Sequence, residues 1–129
     1  EADTLRNTGM TLCIALSYGS RQEIVNAVKK TAALVKEGDI SLNDVDVKLF
    51  SDMLYTKDMP DPDLVIRTSG EQRISNYLLW QVAYAEFFFQ VPSIIPRFFE
   101  VSSENGRYFV MLEDIIKNFN MRERRYGKA

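Results

Sequence analysis

The sequence predicts an α/β fold built on an open, mostly parallel sheet with helices on both faces. Short apolar runs, of the length of buried strands, alternate with longer segments whose apolar residues recur at helical spacing. The chain has 129 residues, of which 46% are hydrophobic and 26% charged, and this is the composition of one globular domain. Strands that alternate with helices in a domain of this size favour parallel pairing.

The first predicted strand spans residues 10–16, an apolar run between Gly9 and the polar residues 17–20. Its length and composition favour a buried strand. Cys13, the single cysteine of the chain, is expected inside this strand as a small apolar side chain. One cysteine forms no internal disulfide, which favours a reducing compartment such as the cytoplasm.

Two capping signals predict the first two helices. Ser20, with Glu23 at the third helical position, has the pattern of a capping box, and Gly38 ends the helix that this box opens. Ser41 with Asp44 repeats the pattern. The apolar residues of the second helix are Val45, Leu49, Met53 and Leu54.

The second half of the chain continues the alternation. Residues 64–66 form the next predicted strand, and residues 67–73 after it are wholly polar. Ser75 is placed to cap a third helix rich in aromatic and aliphatic residues. Residues 86–89 are predicted as another strand and residues 108–119 as a last helix.

The polar loop after residues 64–66 has the composition of a phosphate site. In open parallel sheets, ligands bind beyond the carboxyl ends of the strands, where this loop is expected. Arg67 and Arg73 match phosphate geometry with paired hydrogen bonds, and Ser75 offers a hydroxyl. The amides of the predicted helix would add further donors. The residues alone leave a second interpretation open, in which both arginines pair with surface carboxylates.

Other candidate residues also have two interpretations. Helix capping alone explains Ser75 and Glu23. Glu86 precedes three phenylalanines, where a carboxylate is costly to bury unless it is paired or binds a metal; the alternative is an exposed position at the end of the strand. The basic residues 122–128 would ordinarily form a solvated terminus.

Composition excludes several classes of function. The chain has no histidine, which rules out Ser-His-Asp and Cys-His catalysis and histidine-ligated zinc within it. The net charge of −2 gives no global field toward nucleic acid, so no nucleic-acid partner is expected. No apolar run reaches the length of about 18 residues that indicates a transmembrane segment.

Three blocks of the sequence resemble the cis-prenyltransferase family, in the form of the undecaprenyl diphosphate synthase type. The longest, residues 61–87, reads DPDLVIRTSGEQRISNYLLWQVAYAEF and is similar to the family's signature. Residues 7–12 (NTGMTL) and 17–24 (SYGSRQEI) resemble the preceding motif, and residues 122–127 (RERRYG) resemble the C-terminal motif. The blocks occur in the family's order and span nearly the whole chain.

The resemblance implies an activity. The family condenses an allylic diphosphate, usually farnesyl diphosphate, with successive isopentenyl diphosphate units, making cis double bonds with magnesium. The product, undecaprenyl or a similar polyprenyl diphosphate, is the precursor of the lipid carrier for cell-wall synthesis. A member is expected to be a cytoplasmic homodimer that contacts the inner membrane peripherally through its lipid product.

The resemblance also implies roles for individual residues. Arg67, Arg73 and Ser75 match positions that hold the diphosphate of isopentenyl diphosphate, and Ile74 would contribute through its backbone. Glu86 matches a carboxylate that helps to place magnesium. We expect these residues to converge at one edge of the sheet around a diphosphate and its metal.

Three further residues match positions of known role in the family. Glu23 matches an acidic position linked to the use of isopentenyl diphosphate. Arg125 and Gly127 match an Arg-x-Gly motif, which in the family completes a diphosphate site across a homodimer. On this resemblance, the motif would add a second substrate-binding segment to the one after residues 64–66.

The chain departs from the family at three places, of which the substitution of Ser17 and Ser20 for the common asparagine and glycine is expected to do little harm. The N-terminal block His-x-Met-Asp-Gly-Asn-x-Arg-Trp, which carries the catalytic aspartate, has no match. On the resemblance, residues 1–129 are the C-terminal portion of a single cis-prenyltransferase domain whose N-terminal portion is absent. The isolated chain is then expected to hold no catalytic residue and to be inactive. Residues 90–121 are longer than the family's usual linker.

Two other classes of function stay open from the sequence. The chain fits a non-catalytic partner subunit that lends its Arg-x-Gly motif to a catalytic chain. A generic phosphate-binding domain would follow only if the signature were coincidental. Retention of a diphosphate set together with Glu86 favours a piece of an enzyme, because a pure scaffold needs neither.

Overall fold

The computed structural model of the protein describes residues 2–68, 70–89 and 107–122. The helices are α1 (Ser20–Glu37), α2 (Val47–Asp52) and α3 (Arg107–Asn120), with 3-10 turns at Ala2–Thr4 and Leu42–Asp44. Strands β1 (Leu64–Arg67) and β2 (Glu86–Phe89) pair in parallel, and this sheet with its helices confirms the predicted α/β class. Within these ranges, no helix has the length and apolar character needed to cross a membrane.

The two strands form where the sequence predicts them, because both are short runs of β-branched, aliphatic and aromatic residues. Leu64 pairs with Glu86, and Arg67 pairs with Phe89. The backbone N–H of Glu86 also donates to the carbonyl of Asp63 at 2.9 Å, just before β1. The carboxyl end of the strand pair therefore carries Arg67, and the amino end carries Glu86.

The ends of α1 are set by two glycines. Gly19 is the N-cap, so Ser20 is the first helical residue and not the cap that the sequence predicts. Gly38 ends the helix as predicted, in a left-handed conformation with a φ of 84°, and its N–H donates to the carbonyls of Leu34 and Val35. Glycine adopts this conformation without the clash that a Cβ would cause.

The second predicted helix is divided in two. The capping box of Ser41 and Asp44 is present, but it opens a 3-10 turn of three residues. α2 starts after Asp46, whose side chain accepts a hydrogen bond from the N–H of Leu49 at 2.7 Å. Two caps in close succession therefore give two short elements in place of one helix.

The predicted buried strand at residues 10–16 is wrong. The segment has no strand pairing, and its apolar side chains are exposed, Met10 by 90% and Leu16 by 82%. Cys13, predicted to be buried, is exposed as well. A strand of this composition is buried only where neighbouring strands pair with it and packed layers cover its faces. The sheet of the described residues consists of β1 and β2, and neither pairs with this segment.

The third predicted helix is also wrong. Residues 75–84 form a series of turns. Ser75, Asn76 and Leu78 have φ values of 52°, 61° and 47°, whereas a right-handed helix needs a φ of about −60°. Polar groups of this segment bond to the first turn of α1, so tertiary hydrogen bonds override the local helical preference.

Glu23, in the first turn of α1, is fully buried, with 0% of its surface exposed. Its carboxylate accepts hydrogen bonds from the N–H of Tyr55 at 2.7 Å, from Gln81 Nε2 at 3.3 Å and from the Tyr18 hydroxyl. The predicted capping box of Ser20 and Glu23 is wrong, because these core donors hold the carboxylate. A buried charge is tolerated when hydrogen bonds of this kind replace its lost water.

The contact with Glu23 changes the acidity of Tyr18. Desolvation and the hydrogen bond to the Glu23 carboxylate raise the pKa of Tyr18 from 10.0 to about 12. The folded chain therefore holds this proton more tightly than the unfolded chain does. The resulting stabilisation is complete below pH 10 and is lost as the pH rises through about 12.

We predict that the free energy of unfolding falls more steeply between pH 10 and pH 12 in the wild type than in Tyr18→Phe, which has no hydroxyl to titrate. Urea denaturation at matched pH values measures both slopes. Other tyrosines and the lysines titrate in both proteins, so the difference between the slopes isolates Tyr18. Equal slopes would show that the Glu23 carboxylate does not hold the Tyr18 hydroxyl.

Candidate functional site

The loop after β1 folds back so that its two ends meet. Arg67 closes β1, and its Nη1 donates to Ser75 Oγ at 3.2 Å and to the backbone carbonyl of Arg73. Gly70, with a φ of 67°, supplies a left-handed turn within the loop, which suits glycine. The structure thus brings Arg67 and Ser75 together at the carboxyl end of β1, and the same Arg67 nitrogen also bonds the backbone of Arg73.

The guanidinium of Arg73 has a different partner. It lies 2.5 Å from the carboxylate of Glu71, and its side chain is 65% exposed. An exposed ion pair contributes about 0–1 kcal/mol, so an anion that binds both arginines would displace Glu71 easily. Arg73 therefore pairs with a surface carboxylate, as the second interpretation from the sequence predicted. Arg67 instead bonds to its own loop.

A cavity of about 160 Å³ lies beside this loop. Its lining includes Arg67 and Arg73 together with apolar residues such as Val65, Ile74, Phe87 and Phe89. The cavity therefore joins two arginines to an apolar wall. Such a combination suits a small molecule with an anionic head and a hydrocarbon tail.

Glu86 lies at the opposite end of the strand pair from Arg67. The register pairs Glu86 with Leu64, which is three residues before Arg67. Glu86 is therefore displaced from Arg67 by about 10 Å along the strand direction. Its carboxylate is 2.5 Å from the guanidinium of Arg122, which also lies 4.4 Å from the centre of the Phe88 ring. The expected convergence at one edge is therefore wrong for Glu86, because parallel pairing puts the start of β2 beside the start of β1.

Glu86 remains the candidate magnesium ligand by resemblance. In the described part of the chain, no three acidic, histidine or cysteine side chains gather in one place. Magnesium usually takes one or two carboxylates from a protein and fills its other positions with water and substrate phosphate oxygens. One partly exposed carboxylate fits that pattern if it is released from Arg122.

The other predicted site residues are placed elsewhere. Glu23 lies in the core, with its oxygens bonded to protein donors, so its role toward isopentenyl diphosphate stays a prediction. Ile74 follows Arg73 in the loop, and 38% of its surface is exposed. Arg125 and Gly127 lie outside the described residues.

Two residues to which the sequence analysis gave no role in the site lie beside predicted site residues. Asn76 directly follows Ser75 and bonds to α1 with its backbone and its side chain. The sequence could have indicated a turn at Asn76, because asparagine adopts a left-handed φ more readily than most residues. Arg122 belongs to the basic segment that the sequence singled out, but its partner Glu86 is 36 residues away, and no local pattern predicts that pair.

Comparison with known proteins places these residues in a family. The family model described as "Putative undecaprenyl diphosphate synthase" matches residues 1–127. An isoprenyl transferase of Lactobacillus johnsonii is 45% identical over 99% of this chain and 51% of its own length. The ditrans,polycis-undecaprenyl-diphosphate synthase ((2E,6E)-farnesyl-diphosphate specific) of Micrococcus luteus is 44% identical over 96% of this chain and 46% of its own length. The chain thus spans about half the length of the curated relatives that it matches.

Solved structures agree with the sequence comparison. The structure of lavandulyl diphosphate synthase from Lavandula x intermedia, in complex with dimethylallyl diphosphate, matches with a TM-score of 0.80 and 38% identity, over 95% of this chain and 49% of that one. The family model covers nearly the whole sequence, including the loop after β1. The chain belongs to the undecaprenyl diphosphate synthase family of cis-prenyltransferases.

Proposed function

We propose that this chain supplies the diphosphate-holding portion of a cis-prenyltransferase. The complete enzyme condenses farnesyl diphosphate with successive isopentenyl diphosphate units in cis, giving undecaprenyl or a similar polyprenyl diphosphate for the cell-wall lipid carrier. The name of the Micrococcus luteus relative, with its stated farnesyl diphosphate specificity, supports these substrates. The observation that carries the proposal is the contact between Arg67 and Ser75 at the carboxyl end of β1.

In this proposal Arg67, Arg73 and Ser75 bind the diphosphate of isopentenyl diphosphate, and Ile74 adds its backbone. Arg67 Nη1 lies 3.2 Å from Ser75 Oγ, so one phosphate group can accept from both. A charge-assisted hydrogen bond contributes about 1.5–3 kcal/mol, more than the roughly 0–1 kcal/mol of an exposed ion pair such as Arg73 with Glu71. The pair of Arg73 with Glu71 is exposed, so its loss opposes binding of a diphosphate only weakly.

The apolar wall beside the arginines supports an isoprenoid substrate. Ile74, Phe87 and Phe89 bound the cavity together with the two arginines. Burial of hydrocarbon there contributes about 0.8 kcal/mol for each methylene group. The arginines would hold the diphosphate and the apolar wall the hydrocarbon part, so the double bond of isopentenyl diphosphate has a fixed orientation. Fixing the orientation of a reacting group lowers the barrier to reaction.

Glu86 is the residue proposed to help hold magnesium. When bound, magnesium supplies positive charge that offsets the charge gathering on the departing diphosphate. Glu86 has to leave its ion pair with Arg122, whose side chain is 45% exposed. Such a partly exposed pair is weak, so its loss opposes metal binding only slightly.

Residues 1–129 are proposed to be the C-terminal portion of a single cis-prenyltransferase domain, and the chain alone is proposed not to elongate prenyl chains. Matches that reach only about half of each relative support this division. The exposed apolar residues 10–16 also support it, because they suit an interior strand of a larger sheet. A polyprenyl product made by this chain alone from farnesyl diphosphate would contradict the proposal.

The complete enzyme is proposed to be a cytoplasmic homodimer in which Arg125 and Gly127 complete a diphosphate site. Peripheral contact with the inner membrane would arise through its lipid product. The Arg-x-Gly motif within residues 122–127 supports the dimer. Sedimentation of the complete enzyme as a monomer at assay concentration would contradict it.

We predict that Arg67→Ala weakens binding of isopentenyl diphosphate to this chain about tenfold or more, because a loss of about 1.4 kcal/mol is one decade in affinity. Isothermal titration calorimetry measures this change. Arg6→Ala, which removes an exposed arginine outside the loop, is the matched control and should bind like the wild type. Equal affinity of Arg67→Ala and the wild type would remove Arg67 from the site and favour the alternative of a non-catalytic partner subunit.

We predict that Glu86→Gln weakens binding of magnesium to this chain, measured by isothermal titration calorimetry, because the amide keeps the size of the side chain and removes its charge. Arg122→Gln is the control, since it breaks the same ion pair and leaves the carboxylate. Its response to magnesium should equal or exceed that of the wild type. Superimposable magnesium titrations of Glu86→Gln and the wild type would show that Glu86 does not hold the metal.

A further inference from the structure

The end of the diphosphate loop is tied to the first turn of α1 by one residue, Asn76. Its backbone carbonyl accepts from the N–H of Ser20 at 2.9 Å, and its side-chain Oδ1 accepts from the N–H of Arg21 at 2.8 Å. Its Nδ2 donates to Gln22 Oε1 at 3.2 Å. Asn76 thus contacts three consecutive residues of α1, although it lies at least 54 residues after them in the sequence.

These contacts replace an ordinary helix cap. The first amides of a helix have no acceptor within the helix, and the side chain of the N-cap residue usually supplies one. Here the N-cap is Gly19, which has no side chain. Asn76 supplies the acceptors from another part of the chain, and its φ of 61° is one that asparagine tolerates better than most residues.

Gly19 makes this approach sterically possible. A Cβ at Gly19 would lie 2.9 Å from Asn76 Nδ2 and 2.5 Å from Gln22 Oε1, both too close. The φ of Gly19 is −150°, an extended value open to any residue, so the space taken by the Gln22 and Asn76 side chains, and not backbone conformation, favours glycine here. Gly19 and Asn76 therefore form a complementary pair.

The pair acts on the site through Ser75. Asn76 directly follows Ser75, whose Oγ accepts from Arg67 Nη1, so fixing Asn76 fixes the backbone that presents this hydroxyl. On the other side of the same turn, the N–H of Leu79 donates to Ser20 Oγ at 2.9 Å. We propose that Asn76 is a positioning residue for the diphosphate loop, with Gly19 as its counterpart. The inference rests on the proposed function of that loop.

Two variants of Asn76 separate its side chain from its backbone. Asn76→Gly keeps the carbonyl and the left-handed φ but removes the acceptor for Arg21, whereas Asn76→Asp keeps that acceptor. In Asn76→Gly we expect hydrogen exchange of the Arg21 amide to accelerate about fivefold, the size expected for loss of one cap. In Asn76→Asp this exchange should stay close to that of the wild type. Unchanged exchange in Asn76→Gly would overturn the contact.

The affinity for isopentenyl diphosphate tests the positioning role itself. We expect Asn76→Gly to lower it about fivefold without a change in the residues that contact the diphosphate. If Arg67→Ala lowers the affinity and Asn76→Gly does not, the proposed function stands and the positioning role is overturned. If the wild type does not bind isopentenyl diphosphate, the proposed function fails and the positioning role fails with it.

A double-mutant cycle tests the pairing of Gly19 with Asn76. Gly19→Ala should lower the affinity in the wild-type background, because its methyl group displaces the Asn76 amide. In the Asn76→Gly background the same change should have a smaller effect, because that amide is gone and only the contact with Gln22 remains. Fully additive losses would show that the two residues act independently and would overturn the pairing.

Discussion

The first turn of α1 is the constraint on which the arrangement of the site depends. Glu23 draws the N–H of Tyr55 and the side chain of Gln81 to one buried carboxylate. Ser20 and Arg21, in the same turn, bond to the segment that follows the diphosphate loop. A buried carboxylate without hydrogen-bond donors is strongly unfavourable, so Tyr55 and Gln81 stay bonded to α1. Their contacts with α1, together with those of the segment after the loop, determine the position of the diphosphate loop.

The charged residues of the site are already paired within the protein. Arg73 pairs with Glu71 and Glu86 pairs with Arg122, in both cases with partly or largely exposed side chains. Weak exposed pairs keep these side chains near the sheet without the strong penalty of breaking a buried pair. In the proposed function, a bound diphosphate therefore replaces Glu71 as the partner of Arg73, and a bound metal replaces Arg122 as the partner of Glu86.

Local patterns predicted the elements that depend on local chemistry. The β-branched and aromatic residues of β1 and β2 predicted both strands. Gly38 predicted the end of α1, because the chain leaves the helix there in a left-handed conformation that glycine adopts most easily. The long signature of residues 61–87 predicted the family, which the comparisons confirm. The sequence also predicted that Ser75 lies near Arg67, although the helix expected after Ser75 does not form.

The predictions that failed depended on distant partners. Residues 10–16 have the composition of a buried strand, but burial requires neighbours that the described sheet does not provide. Glu23 has the spacing of a capping box, yet donors more than thirty residues away hold its carboxylate. The position of Glu86 follows from the register of two strands, which no local spacing determines.

The central claim is that the loop at the carboxyl end of β1 binds a diphosphate, and mapping of amide chemical shifts during titration with isopentenyl diphosphate tests it most directly. The account predicts that the largest shifts fall within residues 67–68 and 70–76. The groove between α1 and α2, which includes Val28 and Phe50, should stay unchanged. Largest shifts in that groove, or in any segment apart from the loop, would contradict the account.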